Sequence, residues 1–110
     1  MISLAEVKQL GKEKSSYNMD KLLYLYENIS DIDIKREVVS SIGRQHDLKR
    51  IIEFIKNNIY SCGCMDLVYQ MYRTILYKQS NAEFKQLKSE VEKYFDNEII
   101  EKMNRFYNYR

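Results

Sequence analysis

The sequence predicts an all-α domain of stacked antiparallel helix pairs, and three observations lead there. Proline is absent and only Gly11, Gly43 and Gly63 occur, so few residues forbid helix and no stretch reads as a flexible linker. Apolar residues recur at three- and four-residue spacing almost throughout, whereas alternation over a strand length is hard to find. The pattern also repeats. A shift of 33 residues lays Asp33 on Asp66, Ile34 on Leu67, Val38 on Met71, Ser41 on Thr74 and Ile42 on Ile75, and a further 32 brings Ile99, Met103 and Tyr107 into line. Each helix pair then has an apolar face too wide for its own hairpin to cover, and the next pair supplies the missing core.

Start signals divide the chain. Ser3 with Glu6 forms a capping box for a first short helix, because hydroxyl and carboxylate satisfy two otherwise orphan amides. A second helix runs from about Asn18 to Asn28 on its Met19, Leu22, Leu23 and Tyr26 face. Asp31 or Asp33 caps a third, with Ile34, Val38, Ser41 and Ile42 on one side and Gly43 suited to its end. Asp47 caps a fourth that carries Leu48, Ile51, Ile52, Ile55 and Ile59 inward. The tight Cys62-Gly63-Cys64 turn precedes a fifth with Leu67, Met71, Ile75 and Leu76. Ser80 or Asn81 opens a sixth with Phe84, Leu87 and Val91, and Asp96 or Asn97 opens a seventh with Ile99, Ile100, Met103 and Tyr107. Connections of a few residues make neighbouring helices antiparallel.

Composition narrows the function classes. With 110 residues, the chain is the size of one domain, residues 1–110, and can bury roughly two thirds of its unfolded surface. Eighteen basic against sixteen acidic side chains leave a net charge of +2, far from the footprint of a dedicated nucleic-acid binder. Apolar runs are too short for a membrane span, and Met1 to Lys14 lacks the apolar core of a signal peptide, so a cytoplasmic protein with no membrane contact is expected. Two cysteines are too few for a disulfide framework. Cys62 and Cys64 with the distant His46 also fall short of the four ligands structural zinc wants, so no metal is expected. No glycine-rich phosphate cradle and no nucleophile motif occurs, so neither a cofactor nor an enzymatic activity is expected. Asp31 and Asp33 stand where helix N-termini want an acceptor.

One segment carries a family likeness. Asp31 followed by Ile34-Lys35-Arg36-Glu37-Val38-Val39-Ser40-Ser41-Ile42-Gly43 resembles the second helix of a HEAT-type repeat: an acidic turn residue, an aliphatic then a basic residue, small or aliphatic positions at three-residue spacing, and a closing aliphatic-glycine. The next unit, Leu67 to Leu76, keeps the aliphatic spacing but has Val68 for the basic residue and Leu76 for the glycine, which leaves a tetratricopeptide-like or irregular bundle open. The resemblance implies a short right-handed α-α superhelix of about three stacked helix pairs over residues 18–109, with residues 1–14 as an N-terminal capping helix.

In such a stack the second helices line the concave side, and this resemblance selects a candidate surface. Tyr69, Arg73 and Tyr77 form a stripe on the fifth helix, off the Leu67, Met71 and Ile75 line. The repeat shift places Arg36, Ser40 and Arg44 at equivalent positions on the third helix, and Glu101, Arg105 and Tyr109 on the seventh. Arginine grips carboxylate or phosphate bidentately, while tyrosine supplies rigid contact area. The expectation is a non-enzymatic adaptor that docks a protein or peptide on Arg36, Ser40, Arg44, Tyr69, Arg73, Tyr77, Arg105 and Tyr109. The alternative is nucleic-acid backbone binding, DNA or RNA, through the same arginines with Lys49 and Arg50. Phe106, Tyr107 and Tyr109 make an aromatic last turn, which points to a homodimer through the C-terminal helix. Of the ten tyrosines, Tyr24, Tyr26, Tyr60, Tyr72 and Tyr94 are expected on or beside apolar faces, rings buried and hydroxyls at the edge.

Overall fold

The computed structural model describes residues 2–78, 85, 89 and 91–108, with the side chains at 77, 78, 103 and 106–108 outside the description. Among the described residues are six helices, α1 (Leu4–Lys12), α2 (Ser16–Asn28), α3 (Ile32–Gly43), α4 (Leu48–Asn58), α5 (Met65–Lys78) and α6 (Asn97–Asn108). No strand occurs among them. The helix expected to open at Ser80 or Asn81 falls largely outside the described residues.

Local capping accounts for most boundaries. Ser3 and Glu6 exchange both bonds of the capping box at the head of α1. The side chains of Ser15, Asp31 and Asp47 accept from the amides of Asn18, Ile34 and Arg50, which starts α2, α3 and α4. Each such cap contributes about 1 kcal/mol. The turn before α5 closes on Gly63, whose φ of 67° is in the left-handed region that favours glycine.

Four helices form one row. α1 packs on α3, α3 on α5 and α5 on α6, while α2 packs on α1 and α3 from the other side. α4 lies beside α2: the Tyr26 ring meets Phe54 edge-on at 4.9 Å, and Arg50 donates to Asp20. One hydrophobic cluster runs between the layers, from Val7 through Leu22, Val38, Ile42, Ile51 and Ile55 to Leu67, Met71, Ile75, Val91 and Ile99. Fully burying a side chain of this kind contributes roughly 1.5–3 kcal/mol.

Two of the joints in the row depend on the absence of a side chain. A Cβ on Gly11 would lie 2.6 Å from Ser41 Oγ, and one on Gly43 would lie 2.4 Å from Thr74 Cγ2. The Ser41 hydroxyl donates to the Val7 carbonyl at 3.2 Å, tying α3 to α1. The Thr74 hydroxyl donates back to Met71 at 2.6 Å, and its methyl is the atom nearest the Gly43 position. Gly43 therefore differs from its expected role. It ends α3 as the last helical residue, but Arg44 caps the helix in a right-handed conformation, and what requires glycine there is the close approach of α5.

The end of α1 is closed by buried amides. Asn18 Nδ2 donates to the carbonyls of Leu10 and Glu13 at 3.0 and 3.2 Å. Gln45 Nε2 donates to the same two carbonyls, and Gln45 Oε1 accepts from the Ser15 amide. Both side chains are buried, so the unpaired carbonyls of a helix end are satisfied inside the fold. Among the described residues the buried tyrosines are Tyr26 and Tyr72. Tyr24 and Tyr60 depart from expectation at 65% and 75% exposed. Tyr24 lies about two residues, or 200°, round the helix from Leu22 and faces away from the core, and Tyr60 follows the last inward residue of its segment, Ile59.

Candidate functional site

The candidate face is the side of the row turned away from α2 and α4. On α3, Asp33, Glu37, Ser40 and Arg44 occupy one helical stripe with Arg36 beside it; on α5 the corresponding stripe is Asp66, Gln70, Arg73 and Tyr77 with Tyr69 beside it. The two stripes adjoin: Arg36 is 3.9 Å from Asp66 across the helices and 3.5 Å from Asp33 within its own. The next joint is closed by Lys102, whose ammonium lies 5.6 Å from the centre of the Tyr69 ring. Paired contacts Arg36 with Asp66 and Gly43 with Thr74, then Tyr69 with Lys102 and Tyr72 with Asn104, both progress in the same chain direction. α3, α5 and α6 are therefore parallel, and their equivalent residues line up across the row.

The expected site residues divide into four groups. Arg36, Arg44 and Arg105 are exposed, and Tyr69 and Arg73 are half-buried beside one another. Ser40 is buried at 7% exposure, so its hydroxyl is not presented as the arginines are. The side chain of Tyr77 and the whole of Tyr109 lie outside the described residues, as do the side chains of Phe106 and Tyr107 invoked for a homodimer.

Electrostatically the face is mixed. Arg44 is 3.3 Å from Glu37, whose carboxylate is mostly buried. Arg36 is held by two aspartates. Arg73 differs, because no carboxylate lies within ion-pair distance of it among the described residues. At exposed positions such pairs contribute only about 0.2–1 kcal/mol each, so they orient the α3 guanidinium groups more than they stabilise the fold.

Beneath the face, Tyr72 is fully buried and joins three segments. Its ring meets Phe95 at 5.0 Å, its hydroxyl donates to Glu92 at 3.5 Å, and it accepts from Asn104 Nδ2 at 3.3 Å. Burial, reinforced by the Glu92 carboxylate, pushes the Tyr72 phenol up to about 12. Tyr26 in the outer layer is also pushed up to about 12, first by burial and then by negative charge at Cys62, Glu27 and Cys64.

Other concavities lie off this face. A cleft of about 430 Å³ between α2 and α4 is lined by Tyr24, Glu27, Arg50, Glu53 and Asn57 among others. Another of about 520 Å³ is walled by Ile2, Leu25, Ile29, Asp31 and Ile34. Among the described residues no three histidine, cysteine or acidic side chains converge as a metal site would need, and no helix is long and apolar enough to cross a membrane. His46 is exposed.

Sequence reasoning missed Asp66, Glu37 and Lys102 as members of the face. Asp66 stood in the repeat alignment opposite Asp33, and that offset was the available signal. The chain is thus an all-helical domain with a four-helix row and a charged, tyrosine-bearing face. No protein family, no curated protein and no solved structure matches it.

Proposed function

We propose that the chain is a non-enzymatic interaction module, a short HEAT-like superhelix of helix pairs that docks a protein or peptide partner on the face carrying Arg36, Arg44, Tyr69, Arg73 and Arg105. The observation that carries this reading is the Tyr69 and Arg73 pair: both side chains are half-buried on α5, between α3 and α6, and the guanidinium has no acidic partner among the described residues. A rigid ring beside a guanidinium with no carboxylate at ion-pair distance among the described residues is the composition of an interface anchor. The equal spacing of equivalent residues supports the superhelix, since Gly11 meets Ser41 as Gly43 meets Thr74. A preorganised row of helices also lowers the ordering cost of binding.

Nucleic-acid binding through the same face ranks second. Asp33, Asp66 and Glu37 stand among the arginines of α3 and α5 and would repel phosphates. Two measurements on a complex isolated from the native cell test the choice. Arg73→Ala should abolish capture while the circular dichroism spectrum and melting temperature stay nearly unchanged. Affinity should fall only moderately between 50 and 200 mM salt, as a few exposed ion pairs are screened, whereas six or more phosphate contacts would weaken it by about 10³-fold or more. Undiminished capture by Arg73→Ala removes the proposal, and a steep salt slope replaces it with the nucleic-acid reading.

A further inference from the structure

The charges on the candidate face are partly sorted along the helices. Asp33, Asp66 and Glu98 share one register position in the first turns of α3, α5 and α6. Arg36 stands with them, held by Asp33 and Asp66, while Arg44, Arg73 and Arg105 stand further along their helices. The register that equates Gly11 with Gly43, set by their matching contacts with Ser41 and Thr74, places Lys8 and Lys12 of α1 in line with Ser40 and Arg44 of α3. Arg73 and Arg105 continue the Ser40 register on α5 and α6, one helical turn from the register of Lys12 and Arg44. Lys8, Lys12, Arg44 and Arg105 are exposed and Arg73 is half-buried, so a band about one helical turn wide carries a cation from each of the four helices. Cations at helix C-termini offset the macrodipole wherever they sit around the helix. Here they gather on one face, and Arg73 is in addition partly desolvated without a carboxylate among the described residues.

Spacing limits what can lie along that band. Helices in contact are about 8–10 Å apart, so a line tilted by the one-turn step from Lys12 and Arg44 to Arg73 and Arg105 passes cations at about that interval. A polyproline II segment has three residues per turn and rises about 3.1 Å per residue, so every third side chain points the same way at about 9 Å. A β-strand alternates faces and repeats at about 6.7 Å, which does not match.

We infer that the partner segment docked on this face is an acidic peptide in polyproline II conformation, with a carboxylate at every third residue, laid across the row so that successive carboxylates meet Lys8 or Lys12, Arg44, Arg73 and Arg105. Arg73 is the central anchor: its guanidinium takes one carboxylate bidentately, and the neighbouring Tyr69 ring offers a flat surface to the ring of an intervening proline. The aspartates at the opposite ends of the helices fix the peptide to the basic band by repulsion. Docking on this band rests on the interaction-module reading, and the acidic, three-residue periodicity goes beyond it.

The test uses fluorescein-labelled peptides with the whole chain, read by anisotropy at low salt. One peptide repeats Glu-Pro-Pro four times, a second has the same composition with its glutamates contiguous, a third replaces glutamate by lysine, and a single-stranded oligonucleotide serves as the nucleic-acid probe. The periodic acidic peptide should bind at least tenfold tighter than the contiguous one, and the lysine peptide should not bind. Arg73→Gln should weaken the periodic peptide tenfold or more, whereas Lys49→Gln on α4 should change it less than twofold, each variant showing an unchanged circular dichroism spectrum. Equal affinity for both acidic peptides, no binding, an indifferent Arg73→Gln, or tighter capture of the oligonucleotide overturns the inference. If the cellular partner is still lost on Arg73→Ala while the peptides fail, the docking face stands and only the acidic periodicity falls.

Discussion

Replacing Gly43 with alanine probes the joint on which the candidate face depends. The new Cβ would lie 2.4 Å from Thr74 Cγ2 and 2.8 Å from Thr74 Cβ. Ordinary carbon contacts begin near 3.4 Å or beyond, so α3 and α5 must part by about 1 Å. Rotating the Thr74 side chain does not relieve the Cβ contact, and its hydroxyl is already committed to Met71. Overpacking of this kind costs about 1–3 kcal/mol. Against it stands the helix propensity of alanine over glycine, at most about 1 kcal/mol and less at the last residue of α3. A net loss of about 1–2 kcal/mol is expected, which lowers the melting temperature by about 4 °C or more in a domain of this size. Chemical denaturation of Gly43→Ala, Thr74→Ala and the double variant measures the effect. Because the residues touch, the penalty of Gly43→Ala should shrink by about 0.5 kcal/mol or more in the Thr74→Ala background. Stabilisation by Gly43→Ala in both backgrounds would show propensity acting alone and would refute the close approach.

Two further expectations concern buried polar groups. Gln45→Ala strands the Leu10 and Glu13 carbonyls and the Ser15 amide of part of their partners, and should cost about 1–3 kcal/mol; hydrogen exchange should report the loss first in α1. Tyr26 and Tyr72, both pushed up to about 12, stay protonated in the folded state where an unfolded tyrosine ionises near 10. Their contribution is therefore fully present below pH 10 and is lost as pH rises through about 12, on the order of 1–3 kcal/mol for each phenol. Titration of phenolate absorbance should show both ionising late. Phe replacements at each position should remove that component of the alkaline loss.

Much of the helical framework was legible because it is local. Ser3 with Glu6, Asp31 and Asp47 declare helix starts within four residues, and the Ile51, Ile52 and Ile55 stripe identifies an inward face without knowledge of a partner. What stayed hidden depends on contacts between segments distant in sequence. Gly43 reads as a helix stop, since nothing nearby indicates that Thr74 will press against it. Gln45 lies between the expected third and fourth helices, yet it reaches carbonyls more than thirty residues earlier in the chain. Tyr24 and Tyr60 look like core by composition, and their actual outward direction follows from angular position and a turn.

The candidate face was legible to the same extent. Spacing by four gave the Tyr69 and Arg73 stripe, and the repeat offset set Arg36 and Arg44 beside it. The offset alone could not show that Ser40 is covered, that Arg44 is tied to Glu37, or that Arg36 spans two helices to reach Asp66. The Arg36 contact with Asp66 depends on how closely α3 and α5 approach. α1, expected as a cap, packs on α3 through Gly11 and Ser41.

The central claim is that a protein partner occupies the inner face at α5. A photo-crosslinking amino acid placed at position 69, with a matched control at the outward position 24, tests it in the native cell. Adducts to a discrete protein from position 69, absent from position 24 and lost on Arg73→Ala, are the expected result. Adducts to nucleic acid at position 69, or protein adducts at position 24 alone, would contradict it.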